Sequence, residues 1–325
     1  MAAARAADTD RNAKLLAVTG SVAVSVPGGK SVTAEPGLAL PVGSSIVTAV
    51  GAQATVQFFD GTVVVVESGT SVTIQVLAVR PDAASEHKEE TMLDLHSGGI
   101  VASLDPAKKK ITDFQVRTPK GVAAARGTVF AVRVVQNTSD ASVTTMSGYV
   151  TFITDHGEIT IPFGQVSTGG AAVSVAAAVK AYPNLAKEIL EATSDVAAAV
   201  GAGDVKNTEG TPNLVATVLA AIVDVAVQAA PDSAVDIVKD VIKAAGPALQ
   251  GSDGAALTKI VADSAVQSLE KSSPTGSTSA SDIRDAAAKA AEDAGVKTET
   301  GSDNPILPPL DTTQVKVSPS GARSE

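Results

Sequence analysis

The chain has 325 residues and a formal net charge of −10, which excludes the basic footprint that a phosphate backbone requires. Cys and Trp are both absent, so disulfides, thiol nucleophiles and thiolate metal sites are excluded together. Hydrophobic residues make up 44% of the sequence and aromatics only 2%; the expected core is therefore aliphatic, built from many small contacts.

Residues 1–14 (MAAARAADTDRNAK) lack the apolar h-region of a signal peptide and are expected to form a flexible N-terminus. Two origins stay open for such a start: a cytoplasmic protein, or a mature exported chain given a new Met. No stretch reaches the ~18–20 apolar residues of a membrane helix, so a soluble chain is expected.

Up to about residue 170, short β-branched runs bounded by Gly dominate: 22–26, 45–50, 55–59, 63–66, 72–76, 129–135, 149–153 and 159–163. Such runs predict strands. Asp60-Gly61 between two of them is suited to a two-residue hairpin turn that needs positive φ, and His156-Gly157 is expected to act similarly. Val63–Val66 is continuously apolar rather than alternating, which predicts burial on both faces and a central place in the fold. All six Phe residues lie in this half and are expected to be core anchors. His87, within the charged SEHKEE stretch, is expected in a solvated loop.

After Gly169-Gly170 the chain turns Ala-rich and the apolar period becomes helical. Helices are predicted over 183–200 with Pro183 in the first turn, 211–230 with Thr211 as N-cap, and 231 to a stop at Gly246-Pro247. A fourth is predicted over 254–271. Short Pro and Gly turns between them suit a bundle or stack. From Ser272 on, Ser, Thr, Gly and Pro accumulate around one marginal helix, 281–295, with Ile283 its one large apolar anchor. Residues 298–325 read as a polar, flexible tail in which Val315 and Val317 are candidates for an edge strand.

Taken in order, GSVAV from Gly20, PVGSSIVT from Pro41, ATVQFFDGT from Ala54, LHSGGIV from Leu95, VRTP from Val116, ARGTVFAV from Ala125 and GQV from Gly164 form a set that resembles the FecR domain family. The TP to RGT-x-F-x-V segment is its most specific part. The resemblance implies an all-β, solenoid-like or sandwich-like domain over residues 15–170; periodicity and composition place a helical region over 171–271 and a linker, short helix and tail over 272–325 after it. The family-motif residues are Asp60, Gly61, Thr62, Thr118, Pro119, Arg126, Gly127, Thr128 and Phe130, with structural or interaction roles. Arg126, set among small residues, is expected to be drawn against the domain and paired with a carboxylate or with strand-end carbonyls; anion binding is the alternative. The best-known members relay a signal from an outer-membrane receptor to a cytoplasmic anti-sigma segment. Helices stand here where a receptor-binding domain would follow, so only the generic role of a periplasmic or cell-envelope contact domain is expected to carry over.

Chemistry-bearing patterns are sparse. No Ser stands in a G-x-S-x-G elbow or in an S-x-x-K context that would activate it, and no phosphate-binding glycine fingerprint occurs. His96 with Asp94, and His156 with Glu158, offer two ligands each where a metal site needs three or four. The expectation is a non-enzyme with no catalytic, metal or cofactor residues. Its partner is expected to be a protein or cell-wall glycan rather than nucleic acid, with sensing or signalling as the accompanying role. Self-assembly into an envelope or surface array is the alternative, and a metal-dependent hydrolase using His96 and His156 ranks last.

Overall fold

A computed structural model describes residues 9–10, 12–82, 87–134, 140–182, 184–207, 214–272 and 278–296. Strands come first in the chain and helices after them. The strands are β1 (Thr9–Asp10), β2 (Ala13–Thr19), β3 (Val22–Val26), β4 (Lys30–Thr33), β5 (Ala39–Leu40), β6 (Ser45–Thr48), β7 (Gln53–Phe59), β8 (Thr62–Val66) and β9 (Ser71–Pro81). They continue with β10 (His87–Leu104), β11 (Thr112–Thr118), β12 (Gly121–Ala125), β13 (Val129–Val134), β14 (Ala141–Thr145), β15 (Tyr149–Thr154), β16 (Gly157–Pro162), β17 (Gln165–Ser167) and β18 (Val173–Ser174). The helices are α1 (Val175–Ala181), α2 (Asn184–Gly201), α3 (Leu214–Ala229), α4 (Ala234–Leu249), α5 (Gly254–Ser272) and α6 (Ala280–Asp293).

The 18-residue strand β10 organises everything around it. Its first half pairs with β9 and β11 in a sheet ordered β4-β3-β6-β9-β10-β11-β12-β15-β16, here called sheet A, in which β1 also pairs with β9. Its second half pairs with β8 and β13 in sheet B, ordered β5-β2-β7-β8-β10-β13-β14-β17-β18. Because one strand belongs to both ladders, the two sheets wrap a shared core in a barrel-like sandwich. Pairing is antiparallel except between β10 and β11; the stacked parallel rungs of a solenoid are not what these strands form.

The burial pattern of β10 records the crossing. From Thr91 to His96 buried and wet positions alternate, whereas from Gly99 to Leu104 every residue is buried. Alternation means one dry face; a continuous run means two. Gly98 has φ of 79° and packs so close to Thr70 that a Cβ there would overlap the Thr70 backbone, so the crossover requires glycine.

Two apolar cores result. Between the sheets, Leu15, Val56, Val64 and Val132 of sheet B meet Leu93, Leu95, Val116 and Phe152 of sheet A. Phe114 stands edge-to-face with Phe58 at 6.2 Å and with Phe130 at 6.1 Å, the preferred geometry for ring pairs. On the far side of sheet B, Val63, Val65, Val101, Val129 and Ala131 pack against the helices. The run Val63–Val66 thus serves both cores alternately, as its unbroken apolar character predicts, at about 1.5–3 kcal/mol per buried side chain. Helix α3 is apolar on almost every face and sits inside the helical layer; Ser268 of α5 donates to its Asp224 carbonyl at 2.8 Å.

Several expectations need correction. His87 through Glu90 belong to β10 and not to a loop, and all four are half-buried; the Glu89 side chain is only 12% exposed. Ala13 is buried in β2 against Leu40, so ordered structure reaches into the segment expected to be flexible. The turn after β15 is Asp155-His156, with Gly157 paired to Thr154 as the first residue of β16. Helix α4 runs through Gly246-Pro247 to the buried Leu249, although Pro247 has no N–H to give the Lys243 carbonyl; Gly246 lies against Ala294. Helix α6, marginal by sequence, buries Ile283, Ala287 and Ala291 against its neighbours and carries a Ser279/Asp282 capping box. Pro183, Thr211 and the tail with Val315 and Val317 lie outside the described residues.

Candidate functional site

The only strongly dry ionic cluster among the described residues lies where helix α2 crosses sheet B. Glu67 follows β8 directly, and Arg133 sits on β13 at the position that shares a face with Val129 and Ala131. That face is the one the helices cover. Arg133 Nη2 donates to Glu67 Oε1 at 2.7 Å and to the Glu188 main-chain carbonyl of α2 at 2.8 Å. The guanidinium therefore ties sheet to helix. The Glu67 side chain is 3% exposed and that of Arg133 18%.

The second oxygen of Glu67, Oε2, is buried and accepts no hydrogen bond. It lies over Gly99, where a Cβ would fall inside contact distance of it. The surrounding main chain is held in place by Thr70, whose Oγ1 donates to Gly99 O at 3.0 Å and accepts from Gly99 N at 2.9 Å. Glu67 N donates to Gly99 O at 3.0 Å, and Thr48 Oγ1 donates to the Glu67 carbonyl.

Helix α2 presents Glu188, Glu191 and Asp195 toward this pair, a spacing that places them along one helical stripe. Burial pushes the Glu67 carboxyl up to about 8; Arg133 opposes the rise, while Asp195, Glu191 and Glu188 add to it. Burial likewise raises Asp195 to about 6, against the pull of Arg133 and Gln53, although the buried Gln53 Nε2 makes no full-strength hydrogen bond. Glu188 is raised by burial, with Arg133 again opposing. A cavity of about 10 Å³ adjoins the cluster, lined by Arg133, Ser142, Thr144, Glu188 and Ile189 among others, about the space of one water.

The family-motif residues lie elsewhere and are mostly framework. Asp60 and Gly61 form the β7–β8 turn, Gly61 at φ 74° with its Cα against Asp105; Lys108 Nζ meets Asp60 Oδ2 at 3.0 Å. Thr62 is buried and pairs with Leu104. Thr118 Oγ1 donates to Gly121 O at 3.0 Å across the turn that contains Pro119. Thr128 Oγ1 lies 3.2 Å from both the Arg126 and the Tyr149 carbonyls, Gly127 abuts Pro106, and Phe130 is fully buried. Arg126 does pair with a carboxylate, Asp113, but at 3.7 Å and with its side chain 54% exposed. It is not drawn into the domain, and such an exposed pair contributes little.

The histidines do not converge. His96 is on the outer face of sheet A, 3.3 Å from Thr73 Oγ1; His156 is in the β15–β16 turn, with β11 and β12 between the two strands concerned; His87 lies 3.9 Å from Glu89. Among the described residues no group of three or more metal-ligating side chains comes together, and no described helix is long and apolar enough to cross a membrane.

The outer face of sheet A is unlike that of sheet B. Helices cover none of the row Glu90, Met92 and Asp94 on β10, Gln115 and Arg117 on β11, and Thr151 on β15. Cross-strand partners run along it: Arg80 with Glu90, Arg117 with Asp94 at 3.7 Å, and Ser45 with Thr73 at 2.8 Å. At its β15 end Tyr149 and Ile153 stand 56% and 48% exposed. Part of the strand region matches a known family. The FecR protein family model matches residues 44–151. The FecR match falls in the N-terminal half, on the strands from β6 to the start of β15, where the ordered motifs lie. Two crystal structures described as "a putative anti-sigma factor from Parabacteroides distasonis" align at 19% and 18% identity, each with a TM-score of 0.31. Each alignment covers 40% of this chain and 57% of the other, so the chain spans little more than half the length of those proteins. No curated protein matches the chain.

Proposed function

We propose that the chain is a non-catalytic interaction module of the bacterial cell envelope, in which the outer face of sheet A meets a protein partner as part of a sensing or signalling event. One observation carries this reading: the helical layer seals one sheet and leaves the other open. Sheet B spends its outer valines on the helices, whereas sheet A keeps a row of paired charges that ends in Tyr149 and Ile153. Exposed aromatic and aliphatic side chains beside a polar rim are the usual anatomy of a protein contact. The FecR match over this region supports an exported, periplasmic placement and a regulatory rather than enzymatic role. Self-assembly through the Ala-rich helices draws less support, because their small faces are used inside the helical layer.

Photo-crosslinking tests the reading. A photoreactive residue at Thr151 in the full chain, expressed in its native cells, is expected to give a discrete protein adduct that Ile153→Lys abolishes. The same probe at Lys187, on the solvent side of α2, is expected to give none. Adducts from Lys187 alone, a glycan product at Thr151, or no adduct at Thr151 would contradict it.

A further inference from the structure

We propose that Glu67, Arg133 and the acidic stripe of α2 form a proton-operated latch, which holds the helical layer on sheet B in acid and loosens it as pH rises. The geometry carries the argument. Among the described residues Arg133 is the cation set into the seam, bonded at once to Glu67 of the sheet and to the Glu188 carbonyl of the helix. The charged groups facing Glu67 are Arg133 from β13 and Glu188, Glu191 and Asp195 from α2; β7 adds the neutral Gln53 beside Asp195. Lys187 engages Glu191 at 3.4 Å, but on the exposed side of the helix. With every acid ionised, Glu67, Glu188 and Asp195 share one guanidinium in a partly dry seam, and Glu191, paired with Lys187 at its outer edge, adds a fourth negative charge. Like charges in such a setting repel strongly.

Protonating one or two of these acids relieves that repulsion without breaking the Arg133 bridge, because a neutral carboxyl still offers Arg133 an acceptor oxygen. The burial of the unpaired Glu67 Oε2 also disfavours the charged form. Proton binding and docking of α2 are therefore linked: whatever favours one favours the other. The small cavity beside Arg133 and Glu188 lies at the same seam between α2 and sheet B.

The test is hydrogen exchange followed by mass spectrometry on the full chain at pH 6 and pH 9, corrected for the intrinsic pH dependence of amide exchange. Protection of residues 184–201 is expected to fall about tenfold or more between the two, while protection of residues 89–95 in sheet A stays level. Glu67→Gln keeps an acceptor for Arg133 but cannot ionise, and is expected to flatten the dependence and stay protected at pH 9. If that variant does not fold, Asp195→Asn, at a less buried site, decides: it is expected to shrink the change by about half. Protection of α2 that is independent of pH in the native chain, or a slope unchanged in the variant that folds, would overturn the latch.

Discussion

Gly99 leaves open the space that the Glu67 carboxylate fills. A side chain on Gly99 would overlap Glu67 Oε2 and press on the Arg133 stem, so the ion pair beneath α2 depends on a residue that contributes no atoms of its own. Gly99→Ala is expected to destabilise the fold by about 1–3 kcal/mol through overpacking. Combined with Glu67→Ala, which vacates the space, the two costs are expected not to add. A double-mutant cycle by urea denaturation measures the coupling; simple additivity would show that the two residues do not compete for that space.

The two arginines differ in what their loss costs. Arg133→Met removes the hydrogen bonds to Glu67 and to the Glu188 carbonyl and is expected to cost about 3 kcal/mol or more at pH 9, where Glu67 is ionised and left buried without its partner. Arg126→Met removes an exposed pair with Asp113 and is expected to change stability by no more than about 0.5 kcal/mol. Equal effects in chemical denaturation would mean that the family-motif arginine carries structural weight it does not show in its contacts.

Stability should depend on pH in a definite direction. Glu67 rises from 4.5 to about 8 and Asp195 from 3.8 to about 6 on folding. Carboxyl groups raised in this way bind protons more tightly in the folded chain. Their contribution is intact below about pH 4, declines through pH 6 as Asp195 ionises, and is lost by about pH 8 as Glu67 follows. The melting temperature is expected to fall by about 5 °C or more between pH 5 and pH 9. A flat or rising profile, measured by circular dichroism, would contradict the assignment.

Much of the fold is legible from particular residues. The Asp60-Gly61 turn, the doubly buried Val63–Val66 run and the Phe core follow from turn chemistry, periodicity and ring size, and the structure places them accordingly. Strand β10 is harder to read, because its HKEETMLDLH half alternates charged and apolar residues on a wet face and resembles a loop by composition. Strand β12 is mostly Ala, a poor strand former, and is held by its neighbours β11 and β15. The ionic cluster has a faint signature: Glu67 closes an apolar run buried on both faces, and Arg133 interrupts VFAVRV on the same face as Val129 and Ala131. Its partners on α2 are more than 50 residues further along the chain, as the separation of 55 between Arg133 and Glu188 shows. That pairing is set by how helix and sheet pack, which no local pattern encodes.

The central claim, that one sheet is sealed by the helices and the other left open, can be measured directly because the chain has no Cys of its own. A single cysteine introduced by Val65→Cys on sheet B, or by Thr160→Cys on sheet A, reports the accessibility of that face to a maleimide at pH 7 under native conditions. Thr160→Cys is expected to react at the rate of a free thiol, and Val65→Cys only on unfolding. Comparable labelling of both in the folded chain would contradict the account.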